Sequence, residues 1–212
     1  MSNQIQGKKI AILATDGFEQ AELMEPQKAL KDAGVEVTVI TPAEGPAKPQ
    51  QPGEIKGWDK TDWGKSVKID RNLSDVQPEQ FDALVLPGGV MNPDKLRQCS
   101  KAVAFVKAFV DAGKPVAAIC HGPWTLIETG AVKGKTMTSW PSLKTDLKNA
   151  GPDWVDQQVV VDKGLVTSRS PDDIPAFNRE MIALFGQYQG GKREPRPARG
   201  KTPQGQGQTL QE

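Results

Sequence analysis

Ile10, Ala11, Ile12 and Leu13 form an unbroken apolar run, and similar runs recur within 81–86 and at 116–119. Runs this short, with no charge inside them, suit strands buried on both faces of a parallel sheet. Between them the apolar spacing lengthens to that of a helix. From Glu19 to Ala33, Ala21, Leu23, Met24, Ala29 and Leu30 are the apolar positions, Pro26 is expected to break or kink the helix, and Gly34 ends it. Val35–Ile40 then reads as the second strand, giving a strand-helix-strand start of the kind that makes right-handed parallel crossovers.

Further along, Phe81–Leu86 is a buried strand ending in Pro87-Gly88-Gly89, and Asp94–Arg97 forms one helical turn. Lys101–Ala112 is an amphipathic helix with Ala102, Val103, Phe105, Val106, Phe109 and Val110 apolar, closed by Gly113. Past the run at 116–119, a helix ends at Gly130. A strand over Lys135–Trp140 and a helix over Leu143–Ala150 follow, and Lys163-Gly164 joins Gln157–Asp162 to Leu165–Ser168 as a hairpin. Pro175–Phe185 is the last helix, with Asp172 or Asp173 as its cap. The stretch 41–66 is rich in Pro and Gly and reads as a loop, followed by a short strand at Val67–Ile69. That loop carries Trp58 and Trp63, too apolar to leave in water, so it packs on the body, walls a cleft or meets another subunit. From Gln187 onward Gly, Pro and Gln dominate. Residues 187–212 are expected to be a disordered tail, with five basic side chains against two acids.

At 212 residues the remainder, 1–186, fits one α/β domain. Lys and Arg number 27 against 26 Asp and Glu, so the charge of the body does not call for a polyanionic partner, and nucleic acid binding through the tail is not expected. Two cysteines, Cys99 and Cys120, with no CxxC spacing make neither a disulfide framework nor a zinc site. Neither a metal nor a cofactor is expected. The first ten residues lack the apolar core of a signal peptide, and no run approaches the ~20 apolar residues that span a bilayer. A cytoplasmic, reducing location follows.

Candidate chemistry concentrates after Ile119. The chain reads Ala118-x-Cys120-x-Gly122, then Pro123 and the apolar Trp124, Leu126 and Ile127. Small residues two before and two after Cys120 give the form of a nucleophile elbow, a sharp strand-to-helix turn. A cysteine there meets the positive end of the next helix, which favours thiolate over thiol. His121, beside it, is the only histidine in the chain. Gly88-Gly89, at a neighbouring strand end, can bring backbone amides to a ligand. Ser168 and Arg169 read as braces of the last loop, and Cys99 as incidental.

The segments DGFEQAEL, LVLPGG, AAICHGPWTLIETGAVKGK and QQVVVDKGLVTSRSPDDIPAF, in that order, resemble the PfpI (intracellular protease I) branch of the ThiJ/PfpI superfamily, which groups with class I glutamine amidotransferase-like proteins. The resemblance covers roughly residues 7–186. Together with the apolar pattern it implies a flavodoxin-like three-layer sandwich, a mostly parallel sheet with helices on both faces. It further implies Cys120 as nucleophile and Glu19 as the acid on its sulfur, protonated so that it can donate. It gives His121 as base and the amides of Gly88, Gly89 and His121 as oxyanion donors. Asp94 would orient His121 from a neighbouring subunit of a homo-oligomer. The function implied is that of a stress-related cysteine hydrolase acting at carbonyl centres, protease-like or deglycase/glyoxalase-like. The alternative is a redox-sensing or chaperone-like stress protein with an oxidisable Cys120; His121 beside the sulfur favours catalysis.

Overall fold

The computed structural model describes residues 5–190. Along the chain run β1 (Lys9–Leu13), β2 (Phe18–Glu19), α1 (Gln20–Asp32), β3 (Glu36–Thr41), β4 (Glu54–Asp59), β5 (Asp62–Lys68), β6 (Arg71–Asn72) and β7 (Ala83–Leu86). There follow α2 (Met91–Arg97), α3 (Ser100–Asp111), β8 (Val116–Ile119), α4 (Pro123–Ile127), β9 (Thr136–Met137), α5 (Lys144–Ala150), β10 (Asp153–Trp154), β11 (Val159–Asp162), β12 (Leu165–Ser168) and α6 (Ile174–Gln187).

The main sheet has the order β11-β12-β8-β7-β1-β3-β6, parallel throughout except for the β11–β12 hairpin. Successive side chains of a strand leave opposite faces, so an all-apolar strand feeds two cores. Ala11, Leu13, Leu84, Leu86, Val116 and Ala118 join Phe105, Phe109, Leu126 and Leu147 on one face. Ile10, Ile12, Ala83, Val85, Ala117 and Ile119 join Leu23, Leu30, Phe177, Met181 and Phe185 on the other. Helices therefore cover both faces, giving the expected three-layer α/β sandwich. Phe109 and Phe177 are fully buried, each worth about 2–3 kcal/mol of apolar burial. From β1 the chain runs out to β3 on one side and then returns to β7 on the other. The crevice beyond the carboxyl ends of β1 and β7 lies at that reversal, where open α/β sheets bind ligands.

Four differences from the sequence reading have physical causes. Residues 54–68 are a hairpin, not loop: β4 and β5 pair antiparallel, and β2 adds a third, parallel strand. Asp16 ties this small sheet to the turn after β1, its carboxylate accepting from Gln50 N and Lys56 N, both at 2.7 Å. Trp58 and Trp63 meet across the hairpin edge-to-face at 5.6 Å, with Trp63 left 38% exposed. Secondly, α1 is continuous through Pro26. The missing N–H costs the bond to the Glu22 carbonyl, but Pro26 is buried, as are Leu23 and Leu30 on the same helix, and that burial offsets the loss. Thirdly, the strand after Gly134 is only Thr136–Met137, because Thr138 N turns to Thr167 Oγ1 (3.0 Å) and Trp140 N to the Cys120 carbonyl (3.0 Å). Fourthly, Asp173 stands at the start of α6 without capping it and instead holds Arg169. The bracing read for Arg169 is what the structure shows: its guanidinium also bonds Asp156 at 2.7 Å.

Of the tail expected over 187–212, residues 187–190 are described. Gln187 closes α6, and the Tyr188 carbonyl accepts from Lys8 Nζ. Residues 191–212, to which the rest of that expectation applies, lie outside the described residues.

Candidate active site

Cys120 follows β8 directly and has φ +61°, a left-handed conformation uncommon for a residue with a Cβ. Three backbone bonds hold it there: Cys120 N donates to Ser168 O (3.0 Å), Trp140 N donates to Cys120 O (3.0 Å), and Gly122 N donates to Ile119 O (2.8 Å). A Cβ on Gly122 would lie 2.5 Å from the Leu86 carbonyl, so only glycine lets the elbow close against β7. Gly88 is needed for the same reason: its Cβ would lie 2.6 Å from Cys120 Cβ and 2.5 Å from Glu22 Oε2. The turn carrying Gly88 is clamped by fully buried Asn92, which donates to the carbonyls of Pro87 (2.9 Å) and Gly88 (3.1 Å) and accepts from Thr15 N (2.8 Å).

The acid on the sulfur is Glu22, not Glu19. Glu22 is completely buried and its carboxyl is the side-chain partner of the Cys120 sulfur. Oε2 accepts from Gly88 N at 2.9 Å, while Oε1 has no hydrogen-bond partner among the described residues. As a carboxylate, Glu22 would leave a buried anionic oxygen unsatisfied; as the neutral acid it avoids that charge and can donate to the sulfur. Burial indeed pushes Glu22 up to about 8, so it is neutral at pH 7. Glu19, one turn earlier, lies half-buried beside the backbone of Lys60 and near the Asp59 carboxylate; burial first, then that charge, raises it. On α1 the side chain at 22, not at the helix start, shares the buried face with Leu23 and Pro26, and that is what aims it at the sheet ends.

The expected ease of ionisation at Cys120 needs restating. Burial, and then a charged Glu22, push the thiol well up; hydrogen bonds from the Gly89 and His121 amides pull it down. The following helix is five residues long, too short to lean on as a dipole. The thiolate is favoured only while Glu22 keeps its proton, since a neutral carboxyl removes the repulsion and donates to the sulfur. The Gly88 amide, expected as an oxyanion donor, is bound by Glu22. The Gly89 amide is shared between Glu22 and the sulfur, and the His121 amide is directed at the sulfur.

His121 Nδ1 lies 3.2 Å from Cys120 Sγ, and its Nε2 lies 3.4 Å from Ser142 Oγ. Burial disfavours the charged imidazolium and lowers His121 to about 4, so the imidazole is neutral at pH 7. Its plane is fixed by Trp140, stacked at 6.0 Å and 25°, and by Trp124, edge-on at 5.0 Å. Trp124 is held in turn by Arg97 over its ring (4.6 Å) and by Asp146 on its indole N–H (2.8 Å). Within the chain Asp94 is not brought to His121: its carboxylate takes Arg97 Nε (3.1 Å) and Gln98 Nε2 (3.3 Å). Glu22, Asn92, Trp124, Trp140 and Ser142 escaped the sequence reading. Only Glu22 left a signal there, a charge on a buried helix face. Among the described residues no group of three His, Cys, Asp or Glu side chains could hold a metal.

Comparison with known proteins bears on the family read in the sequence. The DJ-1/PfpI family model matches residues 8–184. General stress protein 18 of Bacillus subtilis is 48% identical over 180 residues, covering 84% of this chain and 98% of that protein. Protein/nucleic acid deglycase 2 of Escherichia coli is 46% identical over 180 residues with the same coverage. Among solved structures, a two-domain protein of Anabaena variabilis with DJ-1/ThiJ/PfpI-like and ferritin-like domains superposes with a TM-score of 0.75 at 36% identity. It covers 92% of this chain, which spans 52% of that one. The chain belongs to the DJ-1/PfpI family.

Proposed function

We propose that this chain is a stress-related, cysteine-dependent hydrolase of carbonyl compounds, with the Cys120 sulfur as nucleophile and His121 as base. The observation that carries the reading is the fully buried Glu22 carboxyl on the sulfur; neutral there, it makes a thiolate compatible with a site otherwise hostile to charge. The Cys120 proton passes to His121 Nδ1 at 3.2 Å, and the sulfur adds to an electrophilic carbonyl carbon. Oxygen charge builds where the Gly89 and His121 amides can bind it. In an amide substrate the carbon–nitrogen bond then breaks, the amine leaves with the proton from His121, and water releases the acyl group from sulfur. Relatives named deglycase and putative cysteine protease support this class. In this reading the protein works in the reducing cytoplasm, and Asp94, at the surface of α2, meets the His121 of a second copy in a homo-oligomer. Light scattering on the purified chain tests the assembly, and a monomer at working concentration would remove that part of the reading.

The catalytic test offers methylglyoxal-modified N-acetylarginine and a fluorogenic peptide to the full chain and to Cys120→Ser and Cys99→Ser. Release of amine by wild type and Cys99→Ser, lost in Cys120→Ser, is the expected result. Undiminished turnover in Cys120→Ser would overturn the mechanism. Inertness of wild type towards both substrates, with reversible oxidation of Cys120, would transfer the site to redox sensing.

A further inference from the structure

We propose that the chain carries a second binding site, for a small aliphatic monocarboxylate, at the end of the sheet opposite Cys120. The parallel strands β8 and β12 begin side by side, Leu165 pairing with Val116, and run from there to the elbow. At their first residues lies a cavity of about 60 Å³. Val116, Leu126, Val132 and Leu165, all buried, make its apolar floor. Lys114, Lys135 and Lys163, half-buried or exposed, make its rim.

None of the three ammonium groups forms an ion pair among the described residues. Their partners are backbone carbonyls. Lys114 Nζ donates to Pro78 (2.8 Å) and Phe81, Lys135 Nζ to Lys163 (3.0 Å), and Lys163 Nζ to Gly134 (2.6 Å). An ammonium has three N–H groups, so each lysine keeps at least one for a ligand. Burial pushes Lys114 and Lys135 below the ordinary lysine value, and the carboxylates around them restore only part of the loss: Glu79 and Asp82 for Lys114, Asp162 for Lys135. Asp162 is moreover taken by Thr136 N at 2.7 Å. Three cations around one hollow, with no anion in contact, are an arrangement that a bound anion relieves.

Size and lining select the anion. An apolar cavity of about 150 Å³ holds a benzene ring, so this one takes a much smaller guest. Phosphate or sulfate would set strongly hydrated oxygens against four apolar side chains. A carboxylate with a tail of about one or two carbons gives its oxygens to the lysines and its tail to the floor.

Propionate is the probe. It is titrated at pH 7 and constant ionic strength into the nitrogen-15-labelled full chain, with the amide resonances followed by proton–nitrogen correlation. Saturating shifts are expected at the lining segments 113–116, 131–135 and 163–165. Lys135→Met keeps the stem and removes the charge; it should weaken binding about tenfold, the worth of one charge-assisted hydrogen bond. Lys135 is half-buried at the rim, and an unchanged spectrum outside 131–135 and 163–165 shows that the variant folds. Lys163→Met, at an exposed position, should act in the same direction. The proposal is overturned by shifts that grow without saturating, by the same shifts with chloride, by equal binding of neutral propionamide, or by an affinity indifferent to both lysine variants. Shifts centred on 119–122 would place the carboxylate at the elbow and also overturn it. Nothing in the titration depends on turnover, so it stands or falls apart from the reading of Cys120.

Discussion

Glu22→Gln turns the central electrostatic claim into a stability measurement. Glutamine keeps the shape of glutamate, an oxygen for the Gly88 amide and a donor for the sulfur, and removes only the titration. In the native protein burial raises the Glu22 carboxyl from 4.5 to about 8. Between those values the native state binds a proton that the unfolded chain has released, so stability falls as pH rises through the window. The full effect is about 5 kcal/mol, taking 1.36 kcal/mol for each unit between the two values. His121 acts in the opposite direction: it is lowered from 6.5 to about 4, so the unfolded chain takes up the extra proton, and stability rises as pH climbs between those values. That contribution is common to wild type and variant and cancels in their difference. Urea unfolding followed by tryptophan fluorescence, repeated from about pH 5 to about pH 9, gives that difference directly. From pH 5 to pH 9 about 4 kcal/mol of that effect is crossed, so with a slope of ~2 kcal/mol per molar urea the variant's midpoint should gain roughly 2 M on wild type across the range. Parallel curves, with a difference independent of pH, would show that Glu22 is ionised in the native state and would refute the account of the site.

Other substitutions probe the scaffold around the sulfur. Gly88→Ala places a methyl 2.6 Å from Cys120 Cβ; it should cost about 3 kcal/mol in urea unfolding and slow Cys120 alkylation, and an unchanged midpoint would argue that the turn yields freely. Glu19→Gln should leave the pH profile of Cys120 alkylation in place, read by peptide mass with Cys99 as internal control; a displaced profile would return Glu19 to the site. Arg169→Met strands the buried Asp173 carboxylate, whose side chain is 6% exposed, and should cost about 2 kcal/mol in urea unfolding at pH 7; an unchanged midpoint would show that the pair carries no stability.

The central sheet was legible because its strands are apolar on both faces: Ile10–Leu13, Ala83–Leu86 and Val116–Ile119 have no polar side chain to confuse the period. The β4–β5 hairpin was not, because one of its faces is wet. Only Ile55, Gly57 and Val67 are buried among residues such as Lys56, Asp59, Lys65 and Ser66, and so few apolar positions do not make a period. Cys120, His121 and the glycines were found because an elbow is local in sequence. The acid was displaced by three residues because its choice depends on how α1 is rotated against the sheet, and nothing local fixes rotation. The apolar neighbours Ala21, Leu23 and Met24 surround Glu22, however, and a carboxyl inside such a stretch is an anomaly that points to itself. Ser142 and Trp140 come from the turn after β9, whose path is set by a backbone bond to Cys120, and pairwise spacing carries no trace of that.

The elbow also sets an order of events. Its amide is tied to Ser168, its carbonyl to Trp140, and its side chain to a carboxyl almost a hundred residues upstream. None of these partners is near Cys120 in the sequence, so a chain emerging from the ribosome carries an ordinary, accessible thiol until β12 has docked beside β8. The sulfur therefore acquires its native surroundings only once residues 165–168 have paired with β8. Pulse-labelling of Cys120 during refolding would time that interval, with protection arriving together with the pairing of residues 165–168.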